Sequence, residues 1–225
     1  MRNDKNHETM GISKNTQSDK ENTLIYKVSE KKPMRYEKED LQEAVRVLKA
    51  GGVILYPTDT VWGIGCDATN EAAVQRIFEI KHRADSKSML VLLDGAGKLQ
   101  GYVEKVPETA WMLLDANEGM RPMTIIYPKA KNLAKNLLAE DGSVGIRLTE
   151  EAFSKALCEQ LHHPIVSTSA NISGEPAAKT FREIAPEITG AVDYVCRYRR
   201  NDETPKKPSS IVKVDENEHI TIIRE

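Results

Sequence analysis

Apolar residues recur along this chain with two different periods, and the alternation between the periods predicts its architecture. In EKEDLQEAVRVLKAGG, residues 37–52, Leu41, Ala44, Val45 and Leu48 fall at i, i+3, i+4 and i+7, lining one face of a helix. Gly51 supplies the C′ position that ends it. The strand-like VILYP, residues 53–57, follows directly. NEAAVQRIFEIKHR, residues 70–83, again sets Val74, Ile77, Phe78 and Lys81 on one helical face, and SMLVLL, residues 88–93, reads as strand. The rhythm continues with a helix around Trp111 to Ala116, a strand MTIIY over 123–127, and a helix over NLAKNLLAE, 132–140. Strand SVGIRL (143–148), helix EEAFSKALCEQLHH (150–163) and strand PIVSTSA (164–170) come next. A looser stretch and one long polar loop, RRNDETPKKP (199–208), lead to the closing segment SSIVKVDENEHITIIR, 209–224. Helices and strands in alternation with short connections predict an α/β domain built on a mixed, twisted sheet.

Length and composition narrow this further. A chain of 225 residues with 40% hydrophobic content can bury one sizeable core, which favours a single domain over 23–225. Residues 1–22 have no apolar run and no aromatic, so they read as a disordered extension rather than a signal peptide. A formal charge of -2 gives no global field to recruit nucleic acid, and any basic site must be local. Cys66, Cys158 and Cys196 form no CxxC pair, which disfavours a disulfide framework and a zinc site and suits a reducing cytoplasm. His7, His82, His162, His163 and His219 show no metal-ligand spacing, so no metal site is expected on side chains; His162 and His163 close a helix, where they favour its dipole. VILY and MLVLL have strand length, short of the roughly 20 residues a bilayer requires.

Candidate chemistry concentrates in four segments. In IFEIKHRADSKSMLVLL, residues 77–93, Lys81, His82, Arg83 and Lys87 are balanced only by Asp85. Lys81 lies on the buried face of its helix, so its ammonium either snorkels to solvent or meets a partner. In DGSVGIRL, Val144, Ile146 and Leu148 face one side of a strand, and Ser143, Gly145 and Arg147 the other. Arg147 thus rises beside a glycine, either as a planar fork for a carboxylate or phosphate or as an edge-strand arginine paired with a surface acid. PIVSTSANISG turns from core strand to Ser167, Thr168, Ser169 and Asn171, which suits a strand's carboxyl end at a crevice or a helix cap. YPTDTVWGIGCD, residues 56–67, sets Thr58 and Thr60 after a strand, but its GIGCDA lacks the third glycine and the following helix register of a dinucleotide loop.

Together, GGVILYPTDTVWGIGCDA, the Lys-x-Arg of KHR, SVGIRL, the Ser-x-Asn of STSAN with ISGEPA after it, and PSSIVKV…ITIIR resemble the YrdC family of threonylcarbamoyl-AMP synthases, in the family's order over roughly residues 40–225. Departures are Ala84 for the usual proline, GMRPMTII for the Trp-Pro-Gly-Pro segment, and Trp62 for Tyr or Phe. The resemblance implies a YrdC-like twisted mixed sheet with flanking helices and a concave basic crevice. It implies formation of threonylcarbamoyl-AMP and pyrophosphate from L-threonine, bicarbonate or carbon dioxide, and ATP, with magnesium bound through the ATP phosphates. Downstream proteins would then place the threonylcarbamoyl group on tRNA. Carried onto matching positions, Lys81 and Arg83 are the catalytic cations facing phosphates and carbamate. Thr58, Arg147, Ser167 and Ser209 would bind threonine or carbamate, with Arg147 on the carboxylate. Lys81, Ser169, Asn171 and Arg224 would bind ATP, and Asp59 would support the site from behind. Two rivals stand beside this reading: an RNA-binding module contacting tRNA, disfavoured by 5% aromatic content, and a paralogue acting on another carbamoyl compound.

Overall fold

The structure, a computed structural model, describes residues 36–82 and 89–225. The extension expected over 1–22, and Arg83, Ala84, Asp85 and Lys87 of the basic segment, lie outside the described residues.

Helix α1, Lys38–Lys49, forms on the predicted stripe and buries Leu41, Ala44, Val45 and Leu48. Gly51 closes it at φ 78° with its N–H on the Leu48 carbonyl, the left-handed turn for which glycine has no steric penalty. Strand β1, Ile54–Tyr56, then pairs antiparallel with β2, Gly63–Gly65, a strand that the apolar pattern does not announce. Helix α2, Glu71–Ile80, starts at Asn70, whose Oδ1 accepts a hydrogen bond from Ala73 N–H at 3.0 Å. Next come β3, Leu90–Leu93; α3, Glu108–Ala116; β4, Met123–Tyr127; and β5, Val144–Leu148. The chain continues through α4, Ala152–Leu161; β6, Ile165–Ser169; α5, Pro186–Ala191; β7, Tyr194–Val195; β8, Ser210–Val214; and β9, Ile220–Arg224.

The helix expected over 132–140 does not form; the segment is irregular apart from one tight turn at Lys135–Leu137. Its polar groups are satisfied elsewhere, with Ala134 N–H on the Ala68 carbonyl and Asn136 Nδ2 on the Glu71 carbonyl. Ala134 and Leu137 bury into the core from this loop, so tertiary packing overrides the local helical spacing.

Among the described residues the strands make one mixed sheet in the order β7-β1-β2-β6-β3-β5-β4-β8-β9. The pairs β7/β1, β3/β5 and β4/β8 are parallel and the others antiparallel. Side-chain alternation divides its two faces cleanly. Ile54, Tyr56, Leu92 and Ile165 pack with α1 and α4 on one face, whereas Val53, Leu55, Val91, Leu93 and Val166 join α2 and α3 on the other. The cross-strand rows Leu92 with Arg147 and Leu90 with Gly145 put the arginine and its glycine on the α1/α4 face. Beyond the reach of those helices, the same face opens into a cleft.

Candidate active site

The cleft holds about 300 Å³ and is floored by strand residues of β6, β3, β5 and β4. Two glycines keep the floor low: a Cβ on Gly63 would stand 3.2 Å from Ser167 Oγ, and one on Gly145 3.3 Å from Thr124 Cγ2. Hydroxyls of Thr60, Thr124, Ser167, Ser169 and Ser209 surround two guanidinium groups, Arg147 and Arg224. The lining carries no carboxylate, imidazole or thiol among the described residues.

Arg147 lies on β5, an interior strand between β3 and β4, and is 3% exposed, so it is not an edge arginine paired on the surface. Its Nη2 stands 3.0 Å from the buried Oδ1 of Asp59, whose side chain is 14% exposed, while its Nε is buried without a hydrogen-bond partner. A buried donor with no partner is costly and marks a group that awaits one. Burial pushes the Asp59 carboxyl above its ordinary range, and the Arg147 charge pulls against that rise. Arg224 is lowered from its ordinary value, first by burial and then by the like charge of Arg147. Two cations close enough to oppose one another, with a single acid behind one of them, make a site that gains by accepting an anion.

The strand end at β6 is held from behind. Lys81 is 1% exposed, which excludes snorkelling; its Nζ donates to the carbonyls of Ser169 at 2.5 Å and Asn171 at 2.6 Å. Ser173 N–H in turn bonds to the Lys81 carbonyl at 2.9 Å. Lys81 therefore stands against the wall that presents Ser169 and does not itself line the cleft. Asn171 shapes the following turn by donating to the carbonyls of Ile172 and Glu175, leaving its Oδ1 buried and without a hydrogen-bond partner. Ser167 and Ser169 line the cleft from one side of β6, and Thr168 between them lines it as well.

Thr58 is buried and its hydroxyl is fully engaged, donating to the Val61 carbonyl at 2.8 Å and accepting from Thr60 N–H at 3.0 Å. This is a local side-chain turn, and it is Thr60 that reaches the cleft. At the far wall Ser209 Oγ lies 2.8 Å from Thr124 Oγ1, and Arg224 donates from Nε and Nη2 to the Ser209 carbonyl at 3.0 and 2.8 Å. Trp62 buries its indole against Phe181, with ring centroids 4.9 Å apart. Thr60 stands beside Thr58 in a segment that the sequence marks, but a ligand role falls there only to Thr58; Thr124, inside an apolar strand run, carries no local signal.

His162 occupies the left-handed C-terminal cap of α4, and His163 Nδ1 lies 2.7 Å from Asp67 Oδ2, at the end of β6 opposite Ser169. The cysteines Cys66, Cys158 and Cys196 are all buried and free, and burial pushes the Cys158 thiol up to about 12. No group of three or more His, Cys, Asp or Glu suited to a metal ion occurs among the described residues, and none of their helices is long and apolar enough to cross a membrane.

Residues 46–225 match the family model Sua5_yciO_yrdC, described as telomere recombination. A threonylcarbamoyl-AMP synthase from Xanthomonas euvesicatoria pv. vesicatoria is 35% identical over 166 residues, covering 69% of this chain and 84% of that protein. The solved structure of P. abyssi Sua5 complexed with L-threonine superposes with a TM-score of 0.71 at 25% identity, covering 80% of this chain. This chain spans only 52% of that longer protein. E. coli YciO gives a TM-score of 0.75 at 25% identity, covering 86% of this chain and 92% of its own.

Proposed function

Because this chain belongs to the Sua5_yciO_yrdC family, we propose that it is an L-threonylcarbamoyladenylate synthase, joining L-threonine, bicarbonate or carbon dioxide, and ATP into threonylcarbamoyl-AMP with release of pyrophosphate. The observation that carries this reading is the pairing of Arg147 and Arg224 in a hydroxyl-rich cleft whose lining, among the described residues, has no acid. Every substrate is anionic or becomes so, and such a cleft favours each of them. The neutral threonine amine adds to carbon dioxide, which bicarbonate supplies by losing water, and sheds its proton to solvent; the resulting carbamate oxygen attacks the α-phosphorus, and pyrophosphate leaves. Positioning and preorganised charge can supply most of the acceleration, without a covalent protein nucleophile.

Arg147 takes the threonine carboxylate through its planar fork, with the unpartnered Nε among its donors and Asp59 holding it from behind. Ser167 and Ser209 offer hydroxyls to threonine and carbamate, and Thr58 acts through the turn that presents Thr60. Ser169, Asn171 and Arg224 serve the nucleotide, with Lys81 and Arg83 supplying the charge that meets carbamate and phosphates. A donor set of hydroxyls and guanidiniums fits magnesium carried on the triphosphate oxygens rather than on side chains. When bound, that ion supplies countercharge to the leaving pyrophosphate. The product would pass, in the cytoplasm, to proteins that place the threonylcarbamoyl group on tRNA, and this surface would contact the tRNA.

The test is pyrophosphate release by purified protein with ATP and each amino acid in turn, with and without bicarbonate. Release is expected only when threonine and bicarbonate are both present. Equal release with another amino acid would overturn the substrate, and salt-dependent tRNA binding with no turnover would overturn the enzyme.

A further inference from the structure

The polar loop over 199–208 has no part in the chemistry above, yet its first residue is anchored beneath the cleft. Arg199 is 11% exposed and adopts a left-handed backbone at φ 62°, a conformation unfavourable for a side chain with a Cβ. Its fork is occupied on both sides. Nε and Nη2 donate to Asp202 Oδ2 at 3.0 and 2.8 Å, and Nη1 donates to the Thr58 carbonyl at 2.9 Å. Asp202 is itself fixed by Thr204 N–H on its other oxygen at 3.1 Å.

The Thr58 carbonyl belongs to the same rigid peptide plane as the Asp59 nitrogen, so a bond that orients the one sets the axis from which the Asp59 side chain departs. That matters because Asp59 and Arg147 do not lock each other. Their 3.0 Å contact leaves both Asp59 Oδ1 and Arg147 Nε buried without a well-aligned hydrogen-bond partner, while the backbone of Asp59 and Thr60 helps to hold the carboxylate. A poorly aligned contact has little power to fix an angle by itself, and the backbone beneath contributes to it. Arg200 adds a second anchor to the loop: its guanidinium lies 5.3 Å from the Phe181 ring centroid, and Phe181 packs on Trp62 of the cleft.

We propose that Arg199 is a positioning residue for carboxylate recognition: by clasping the Thr58 carbonyl with Asp202 as its brace, it aims Asp59 at Arg147 and so sets the fork that receives the threonine carboxylate. This rests on the threonine role given to Arg147. The clasp predicts an effect confined to the amino-acid substrate, since Arg224 and the β6 wall make no contact with it in the bonds above.

Calorimetric binding of L-threonine and of ATP to the full chain tests it, with thermal unfolding measured alongside. Arg199→Ala is expected to weaken threonine binding by about 10-fold to 100-fold, the scale at which a misplaced group loses its advantage. ATP binding should stay unchanged. Arg199→Lys should recover part of the loss, because an ammonium can reach one acceptor but cannot fork. Asp202→Asn should fall between wild type and Arg199→Ala. Arg199→Ala should also cost much less in an Arg147→Lys background, because both changes damage one interaction. Loss of threonine and ATP binding together, unchanged threonine binding in the variants, or full multiplicative loss in the double variant would each overturn the clasp. If Arg199→Ala does not fold, Arg199→Lys and Asp202→Asn decide the same comparisons. A wild type that binds no threonine would overturn the functional reading and this inference with it.

Discussion

Lys81 shows how burial changes what a single cation is for. Both of its described bonds go to main-chain carbonyls, so the ammonium is structural as well as a source of positive potential behind Ser169. Lys81→Met keeps much of the stem and leaves the Ser169 and Asn171 carbonyls without that donor. It should lower unfolding free energy by about 1–3 kcal/mol, the cost of a buried group left unsatisfied. If the charge also meets the transition state, turnover should fall by about 100-fold to 1000-fold. Denaturant titration and pyrophosphate release separate the two; unchanged stability would contradict the structural role, and near-normal turnover the catalytic one. Arg147→Lys isolates the fork rather than the charge. Threonine affinity should weaken by about 1.5–3 kcal/mol, the scale of a charged hydrogen bond. ATP affinity should barely move, and equal loss of both ligands would show that the carboxylate is not what Arg147 holds.

At the scale of elements, two glycines on different strands of the sheet, Gly65 on β2 and Gly145 on β5, make different demands. A Cβ at Gly65 of β2 would lie 2.3 Å from the Val166 carbonyl oxygen and 2.7 Å from Tyr56 Cε1. Backbone cannot yield as a side-chain tip can, so Gly65→Ala must push β2 from β6. A loss of about 1–3 kcal/mol, typical of overpacking, should appear as a lower urea midpoint. An unchanged midpoint would mean that β2 and β6 are less closely apposed than their geometry indicates. Gly145→Ala meets only Thr124 Cγ2 at 3.3 Å and Leu90 Cβ at 3.4 Å, so its larger effect should be on the cleft floor. Element-level reading of the sequence was strongest where one face is buried. The helix over 132–140 failed because its backbone bonds go to neighbouring segments, and β2 escaped notice because Gly-Ile-Gly carries too few side chains to show a period.

For the whole molecule, the described acids give the stability curve two opposing slopes. Burial pushes the Asp202 carboxyl up, but bonds from Thr204 and Arg199 outweigh it and hold the group at about 2. A folded-state value below the unfolded one, about 3.9, adds stability that is present above pH ~4 and lost as pH falls toward ~2. Asp202→Asn should therefore be less stable than wild type at neutral pH, and the two should converge in acid. A difference of equal size at both ends of the range would show that the carboxylate charge is not the stabilising feature. Asp59 runs the other way: with its value raised by burial, its charged form costs stability, and the cost is relieved as pH falls through the raised value.

What the sequence determined by itself were the relations within one segment. A period of two put Gly145 beside Arg147 on one side of β5, and a period near four put Lys81 on the buried face of its helix end, because side-chain direction is set by local backbone geometry. The order of motifs was enough to show the family resemblance. Only the tertiary structure decided what each of those groups meets. Asp59 opposite Arg147, Lys81 against the Ser169 and Asn171 carbonyls, and Arg199 beneath Thr58 all join segments far apart in sequence. Such pairings follow from strand order and crossovers, which are chosen by the packing of the whole core and leave no trace in the spacing of any one stretch.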